Sequence, residues 1–446
     1  MRAREQEETS AGVPEGAKQA EETGSQRMER WGWVEPAVWT ERMLAALEHG
    51  VKGGRWFSLM DKVYAERTLG AAWERVRRNE GAAGIDRQSV AAFAAQAERY
   101  LEELAEDLRA GRYQPQPVRR VWIPKPGRKE RRPLGIPTVK DRIVQTALKV
   151  VQEPIWEVRF GEQSYGFRPG RGCKDALRRV AELLDSGAGW VVEVDLKSYF
   201  DTIPHEALMH EVEGQVADGR VLGLVRSYLR QGVMEGLEQW HPEAGTRQGA
   251  VISPLLANVY LDPLDKVMGA EGWQMVRYAD DMVVLCQSQA EAEAALEALQ
   301  GWAAAHGLRL HPEKTGVVEA KQRGFDFLGY HFERGKRWPS KRSEGKLRSA
   351  IRAKTGRKSG DSMAVIITAI SRTLRGWYEY FKHSHKTTFP TLDGWVRMRL
   401  RSILRYRNKG KGRGRGADHQ RWPNRYFAEQ GLFTMTAAHA IARQSR

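Results

Sequence analysis

The stretch VRYADDMVVL, Val276 to Leu285, sets two acidic residues side by side inside an otherwise apolar run. A Val/Met/Leu/Tyr run of this length reads as strand, and Ala279-Asp280 falls where the run breaks into a tight hairpin. Two like charges at a half-buried bend are costly unless something positive neutralises them, and a divalent metal is the strongest local candidate. The plainer reading, a polar hairpin tip facing water, follows from the turn preference of Asp. The rest of the chain has to decide between them.

A third carboxylate stands in VVEVDLKSYFD, where Asp195 closes a β-branched run. A strand-end Asp upstream and a strand-turn Asp280-Asp281 downstream can lie side by side in one antiparallel sheet. Together they suit two Mg²⁺ ions roughly 3.5 to 4 Å apart, the arrangement that activates an attacking oxygen and stabilises a leaving one in in-line phosphoryl transfer. Transfer from a nucleotide also needs cations on the triphosphate. IPKPGRKERRPLGIP supplies Lys125, Arg131 and Arg132 on two strands joined by a basic turn at Pro126-Gly127, because Pro and Gly forbid a helix through it. Taken alone, such a hairpin is more often a solvated turn.

Length and charge narrow the classes. A chain of 446 residues exceeds one core and predicts several domains. The net charge is +16, and it is local: from Arg334 onward there are 28 Lys/Arg against 6 Asp/Glu, so the remainder is slightly acidic. A basic C-terminal part on a near-neutral body is the footprint of a nucleic-acid-binding module. The two cysteines, Cys173 and Cys286, form no C-x-x-C, which excludes a Cys-based zinc module and a disulfide framework and fits a reducing compartment. No segment approaches a transmembrane length and the charged start lacks a signal-peptide core, so a cytoplasmic, membrane-free protein is expected.

Along the chain, residues 1 to about 27 are polar and predicted to be disordered, with order beginning near Trp31. Helices are expected over 61–78, 91–110, 141–160, 173–186, 204–213, 220–231 and 290–306, with strands at VVEVDL, the Asp280 hairpin and RGFDFLGYHF. From Lys341 the periodicity is helical with basic faces, until KGKGRGRG at 409–416, which cannot hold a helix.

In order, the chain carries IPKP with RPLGIPTVKDRIVQ, then SYGFRPGRGCKDAL, VVEVDLKSYFDTIPH, GTRQGAVISPLLANVYLDPLD, VRYADDMVVL, LHPEKT and FDFLGYHF. This series resembles the successive blocks of group II intron-encoded reverse transcriptases. NEGAAGIDRQSV resembles the family's extra N-terminal block, and RGWYEYF with DGWVRMRLR its maturase (thumb, or X) domain. The resemblance runs from about Leu59 to Arg407 and implies an α+β right-hand polymerase, with fingers and an antiparallel palm sheet followed by a helical thumb. The expected divisions are a partly disordered extension 1–55, fingers 56–187, palm 188–335, thumb/maturase 336–408 and a basic tail 409–446 without an endonuclease domain.

The resemblance implies that Asp195, Asp280 and Asp281 are the catalytic carboxylates holding two Mg²⁺ ions, Asp195 and Asp280 as direct ligands of both. It places Phe200 beneath the incoming sugar to exclude a 2′-OH, Lys125 and Arg132 on the triphosphate, Gln248 and Gly249 beside template and nucleotide, and Lys314 near the primer. The implied partners are intron RNA, an RNA template with DNA primer, target DNA and dNTPs. One departure stands out: the family usually reads G-T-P-Q-G-G where this chain reads GTRQGA, so Arg247 gives up a fixed φ and Ala250 the freedom of glycine. Aromatics interleaved with cations make Arg375, Trp377, Tyr380, Arg397, Arg401, Arg405, Lys409 and Lys411 the candidate RNA contacts. The competing reading there is a helical domain with Trp377, Tyr380 and Trp395 in its core and its charges solvated. Alternatives for the whole chain are a splicing factor with a vestigial polymerase, a host-adopted reverse transcriptase for repair or defence, and a two-metal nuclease, which needs neither the triphosphate hairpin nor Phe200.

Overall fold

The structure, a computed structural model, describes residues 30–124, 131–414 and 416–444. Lys125 and the Pro126-Gly127 turn lie outside the described residues, as does the segment expected to be disordered at the start of the chain.

Eleven strands form three sheets among the described residues. The first joins β1 (Val118–Pro124) antiparallel to β2 (Arg131–Ile136) and parallel to β4 (Val233–Glu235), with β5 (Glu238–Trp240) beyond. The second runs β6-β7-β3-β8, where β6 is Gln274–Tyr278, β7 Asp281–Cys286, β3 Trp190–Asp195 and β8 Gly316–Glu319. The third is β9 (Phe325–Phe327), β10 (Tyr330–Glu333) and β11 (Lys336–Pro339).

The second sheet explains the apolar run of VRYADDMVVL. Successive side chains on a strand face opposite ways. Met282, Val284 and Cys286 join Val192 and Val194 in the large core beneath one face. Val283 and Leu285 join Val191, Val276 and Val318 in a separate cluster on the other. With both faces covered, the strands read as continuous rather than alternating hydrophobics.

The large core extends from Trp31 to Leu308 and includes Val34, Val38 and Trp39. The tryptophans Trp31 and Trp39 are thus part of the packed core, and Trp39 donates its indole N–H to the Val150 carbonyl at 3.0 Å. The helix expected over 91–110 is interrupted: Val90–Ala94 and Ala97–Ala110 are separate, with Gln96 at φ −140°, ψ 32°. The break turns Phe93 to meet both Trp73 and Tyr100, at ring-centroid distances of 4.7 and 5.0 Å.

The C-terminal helices Lys341–Lys354, Met363–Phe381 and Thr388–Arg407 build a further core. Trp422, Phe427, Leu432 and Met435 belong to that core, so the segment expected as a basic tail folds back onto the helices. Asp393 fixes the return by accepting from the backbone N–H groups of Met435 and Thr436, at 3.1 and 2.9 Å. The unit docks on the third sheet through Phe381, which shares a cluster with Phe325, Phe327 and Tyr330.

Candidate active site

Asp195 ends β3 and is the register partner of Asp281, which begins β7. Cross-strand partners project from the same face, so these carboxylates are neighbours and Asp280 sits at the bend beside them. The bend forms because Ala279 takes φ +58° between β6 and β7. No three His, Cys, Asp or Glu side chains gather around a common point among the described residues. Instead, Lys314 donates to Asp195 Oδ2 at 2.7 Å.

The electrostatics show what the three carboxylates lack. Desolvation and the charge of Asp195 raise the Asp280 carboxyl, against the pull of Arg132 and Lys314. Asp281 is exposed at the start of β7, yet desolvation and the charges of Asp280 and Asp195 push it up to about 6. Arg132, Lys314 and Arg342 oppose these shifts without cancelling them. Uncompensated carboxylate charge of this kind is what a hard divalent cation would balance.

One residue that positions this bend was not among the sequence candidates. Arg277 and Asp265 form an ion pair with both side chains 0% exposed. Arg277 also donates to Asn258 Oδ1 at 3.0 Å, Ser164 Oγ at 2.8 Å and the Ala279 carbonyl at 3.1 Å, tying the bend to the helix Ser253–Ala270. Gly166 packs against the same bend: a Cβ there would lie 2.3 Å from the Ala279 nitrogen. The signal in the sequence was a charged residue inside an apolar strand, which demands a buried partner.

Phe200 is half-buried, edge-on to Phe167 and Tyr199. Tyr199 is fully buried and its hydroxyl donates to the Ala257 carbonyl at 2.6 Å, so it belongs to the core and not to a substrate surface. Arg132 is exposed on β2, close enough to lower the pKa of Asp280, and Arg131 is exposed beside it. Gln248 donates to Asp201 at 3.3 Å, and its carbonyl accepts from Gly135 of β2 at 2.8 Å.

The altered loop is accommodated. Gly249 takes φ +104°, and a Cβ there would lie 2.4 Å from the Gly135 carbonyl, so glycine is required at this place. Ala250 has no positive φ and closes a turn through its N–H to the Arg247 carbonyl at 3.0 Å. Arg247 donates to the Leu229 carbonyl at 2.8 Å, and burial lowers its pKa to about 10.

The candidate RNA residues divide. Trp377 packs against Phe381 with ring centroids 4.5 Å apart, and Tyr380 donates to the Leu328 carbonyl at 2.8 Å, so both fill the junction with the third sheet. Arg401 is 2% exposed and donates to the Trp422 carbonyl and Asn424, while Arg405 pairs with Asp418 at 2.6 Å. Both arginines hold the returning C-terminal segment; burial takes Arg401 out of the candidate RNA contacts, while Arg405 keeps a side chain 37% exposed. Arg375, Lys409 and Lys411 are exposed, and Arg397 is half-buried.

Among known proteins, residues 123–332 match the family model described as reverse transcriptase (RNA-dependent DNA polymerase). Residues 345–422 match the group II intron, maturase-specific domain. Protein YkfC of Escherichia coli is 36% identical over 307 residues, covering 60% of this chain and 79% of YkfC. The group II intron-encoded protein LtrA of Lactococcus lactis is 38% identical over 197 residues, 44% of this chain and 32% of LtrA. A solved telomerase from Candida albicans covers 71% of this chain and 64% of its own at 12% identity and a TM-score of 0.41, too distant to carry an argument. With both family models matched in order and the site carboxylates inside the first, the chain belongs to the group II intron-encoded reverse transcriptases, RNA-directed DNA polymerases joined to a maturase domain.

Proposed function

We propose that this chain copies an RNA template into DNA from a DNA primer, and binds its own intron RNA through the C-terminal helices to assist splicing. In this reading the sheet β6-β7-β3-β8 is the palm, the β1–β2 hairpin with the helices before it the fingers, and the helices from Lys341 the thumb. The observation that carries it is the facing of Asp195 and Asp281 across β3 and β7, with Asp280 at the bend.

Asp195, Asp280 and Asp281 would hold two Mg²⁺ ions, which supply charge stabilisation to the attacking and leaving oxygens of the transfer. Lys314 balances Asp195 until those ions and the primer arrive. Arg132, with Lys125 beyond the described residues, binds the triphosphate from the hairpin above. Phe200 lies against the sugar and leaves no room for a 2′-OH, so deoxynucleotides are selected by exclusion. Arg277 keeps the Ala279 bend at fixed depth and so orients Asp280. Arg375, Arg397, Lys409 and Lys411 contact RNA phosphates.

A primer-extension assay with an RNA template and dNTPs tests this. Extension is expected with Mg²⁺, lost with a chelator and restored by added Mg²⁺. RNA binding without any extension under these conditions would leave only the splicing role.

A further inference from the structure

The helical unit contains a cavity of about 190 Å³ whose lining includes Arg352, Arg357, Arg399 and Arg413 with Trp395 and Thr355, and no carboxylate. Four guanidiniums around one small space repel each other, and proteins ordinarily dilute such repulsion with Asp or Glu. Here Arg399 loses proton affinity through desolvation and through the charges of Arg352 and Arg357.

The cavity is nonetheless built and not accidental. Thr355 is 1% exposed, accepts from Arg399 Nε at 2.7 Å on its hydroxyl and from Nη2 at 2.8 Å on its carbonyl, and donates to the Ile351 carbonyl at 2.6 Å. This fixes the Arg399 fork and leaves Nη1 with no hydrogen-bond partner among the described residues. Trp395 carries the guanidiniums of Arg352 and Arg399, each 5.7 Å from its ring centroid, which orders them without neutralising them. Arg357 and Arg413 make no hydrogen bond or ion pair among the described residues. Oriented donors without a counter-charge match the tetrahedral oxygens of a phosphate, and the planar guanidinium fork is the side chain best suited to hold one.

We propose that this pocket seats one phosphate group of a bound RNA strand, as a discrete site distinct from the scattered cations elsewhere on the helices. The proposal rests on the RNA-binding reading above. Arg399 is half-buried in this recess and Arg352, Arg357 and Arg413 are exposed around it, so a phosphate seated there is held from several sides, as at a bend or an end of the strand, whereas a flat basic face takes any phosphate.

The test uses the full chain and an unstructured RNA oligomer, in 5′-phosphate and 5′-hydroxyl forms, with affinity measured against salt. The double variant Arg357→Gln/Arg413→Gln removes two charges that hold nothing else in place. Lys346→Gln/Lys354→Gln removes two from the helix Lys341–Lys354 outside the pocket. The pocket variant is expected to weaken binding several-fold more than the lysine variant and to reduce the salt slope by about 0.7, the contribution of one single-strand phosphate. Loss with both oligomers assigns an internal phosphodiester, and loss confined to the 5′-phosphate form assigns a terminal phosphate. Equal effects of the two variants, or an unchanged affinity and slope in the arginine variant, overturn the pocket. A wild-type chain that binds no RNA overturns the RNA-binding reading itself, so the two failures are distinguishable.

Discussion

Two ion pairs flank the same hairpin and differ in every physical respect. Arg277–Asp265 is wholly buried, and its arginine spends its donors on Asp265, Asn258, Ser164 and the Ala279 carbonyl. Lys314–Asp195 is a single contact at 2.7 Å with side chains 43% and 30% exposed. A buried pair cannot lose one member without stranding the other charge, whereas an exposed pair exchanges its partner at little cost. The first is therefore a fixture that sets where the bend lies. The second is a replaceable counter-charge, because both of its side chains reach solvent.

The largest effect is expected at Arg277. Arg277→Met should destabilise the chain by roughly 3 to 5 kcal/mol, because it leaves Asp265 charged and unpaired in the core. Arg277→Met with Asp265→Leu should recover much of that in a melting experiment, while extension activity stays low because the bend has lost its anchor. Full recovery of activity would mean the pair does not position Asp280.

A second buried carboxylate supplies a pH test. Asp141 accepts from Tyr113 at 2.5 Å and Thr138 at 2.8 Å, yet burial outweighs these bonds and raises its pKa from 3.8 to about 6. The folded chain therefore holds this proton more tightly than the unfolded one. The associated stability is present below about pH 4 and is lost as pH rises through about 6, on the order of 3 kcal/mol. Asp141→Asn should remove that loss, seen as a flatter dependence of denaturant midpoint on pH between these limits.

Phe200→Ala should cost roughly 2 kcal/mol, less than the 3 to 5 of a fully buried ring, and raise ribonucleotide use relative to deoxynucleotide. Tyr199→Phe removes only the bond to Ala257 and should leave the kcat/KM ratio of the two sugars unchanged. The smallest effect on stability belongs to Lys314→Met, within about 1 kcal/mol of the parent chain. A melting shift as large as that of Arg277→Met would erase the distinction between the two pairs.

These pairs also mark where the sequence could be read. The hairpin, its Asp280 bend and the strand ending in Asp195 were legible, because residues three to ten apart set strand, turn and charge. The join at Asp195 and Asp281 was legible only as a possibility, since register depends on neighbours far along the chain. The partner of Arg277 lay in a helix whose own pattern gives no sign of it. Arg397, Arg401 and Arg405 recur at helical spacing and read as one basic stripe. Arg401 is buried because the segment from Trp422 returns over it, a tertiary event that no local window contains. The short strands β4, β5, β8 and β11 were missed for a related reason: three or four residues carry too little alternation, and pairing partners define them.

The central claim is that the three carboxylates form one metal-dependent catalytic centre while affinity for RNA resides elsewhere. The most direct measurement is single-turnover primer extension by Asp280→Asn on an RNA template, with RNA affinity measured in parallel. Extension is expected to fall by on the order of 10³-fold or more, equivalent to about 4 kcal/mol of lost transition-state stabilisation, with affinity unchanged. Extension at the parent rate in ordinary Mg²⁺, or a loss of RNA binding that accounts for the loss of extension, would contradict it.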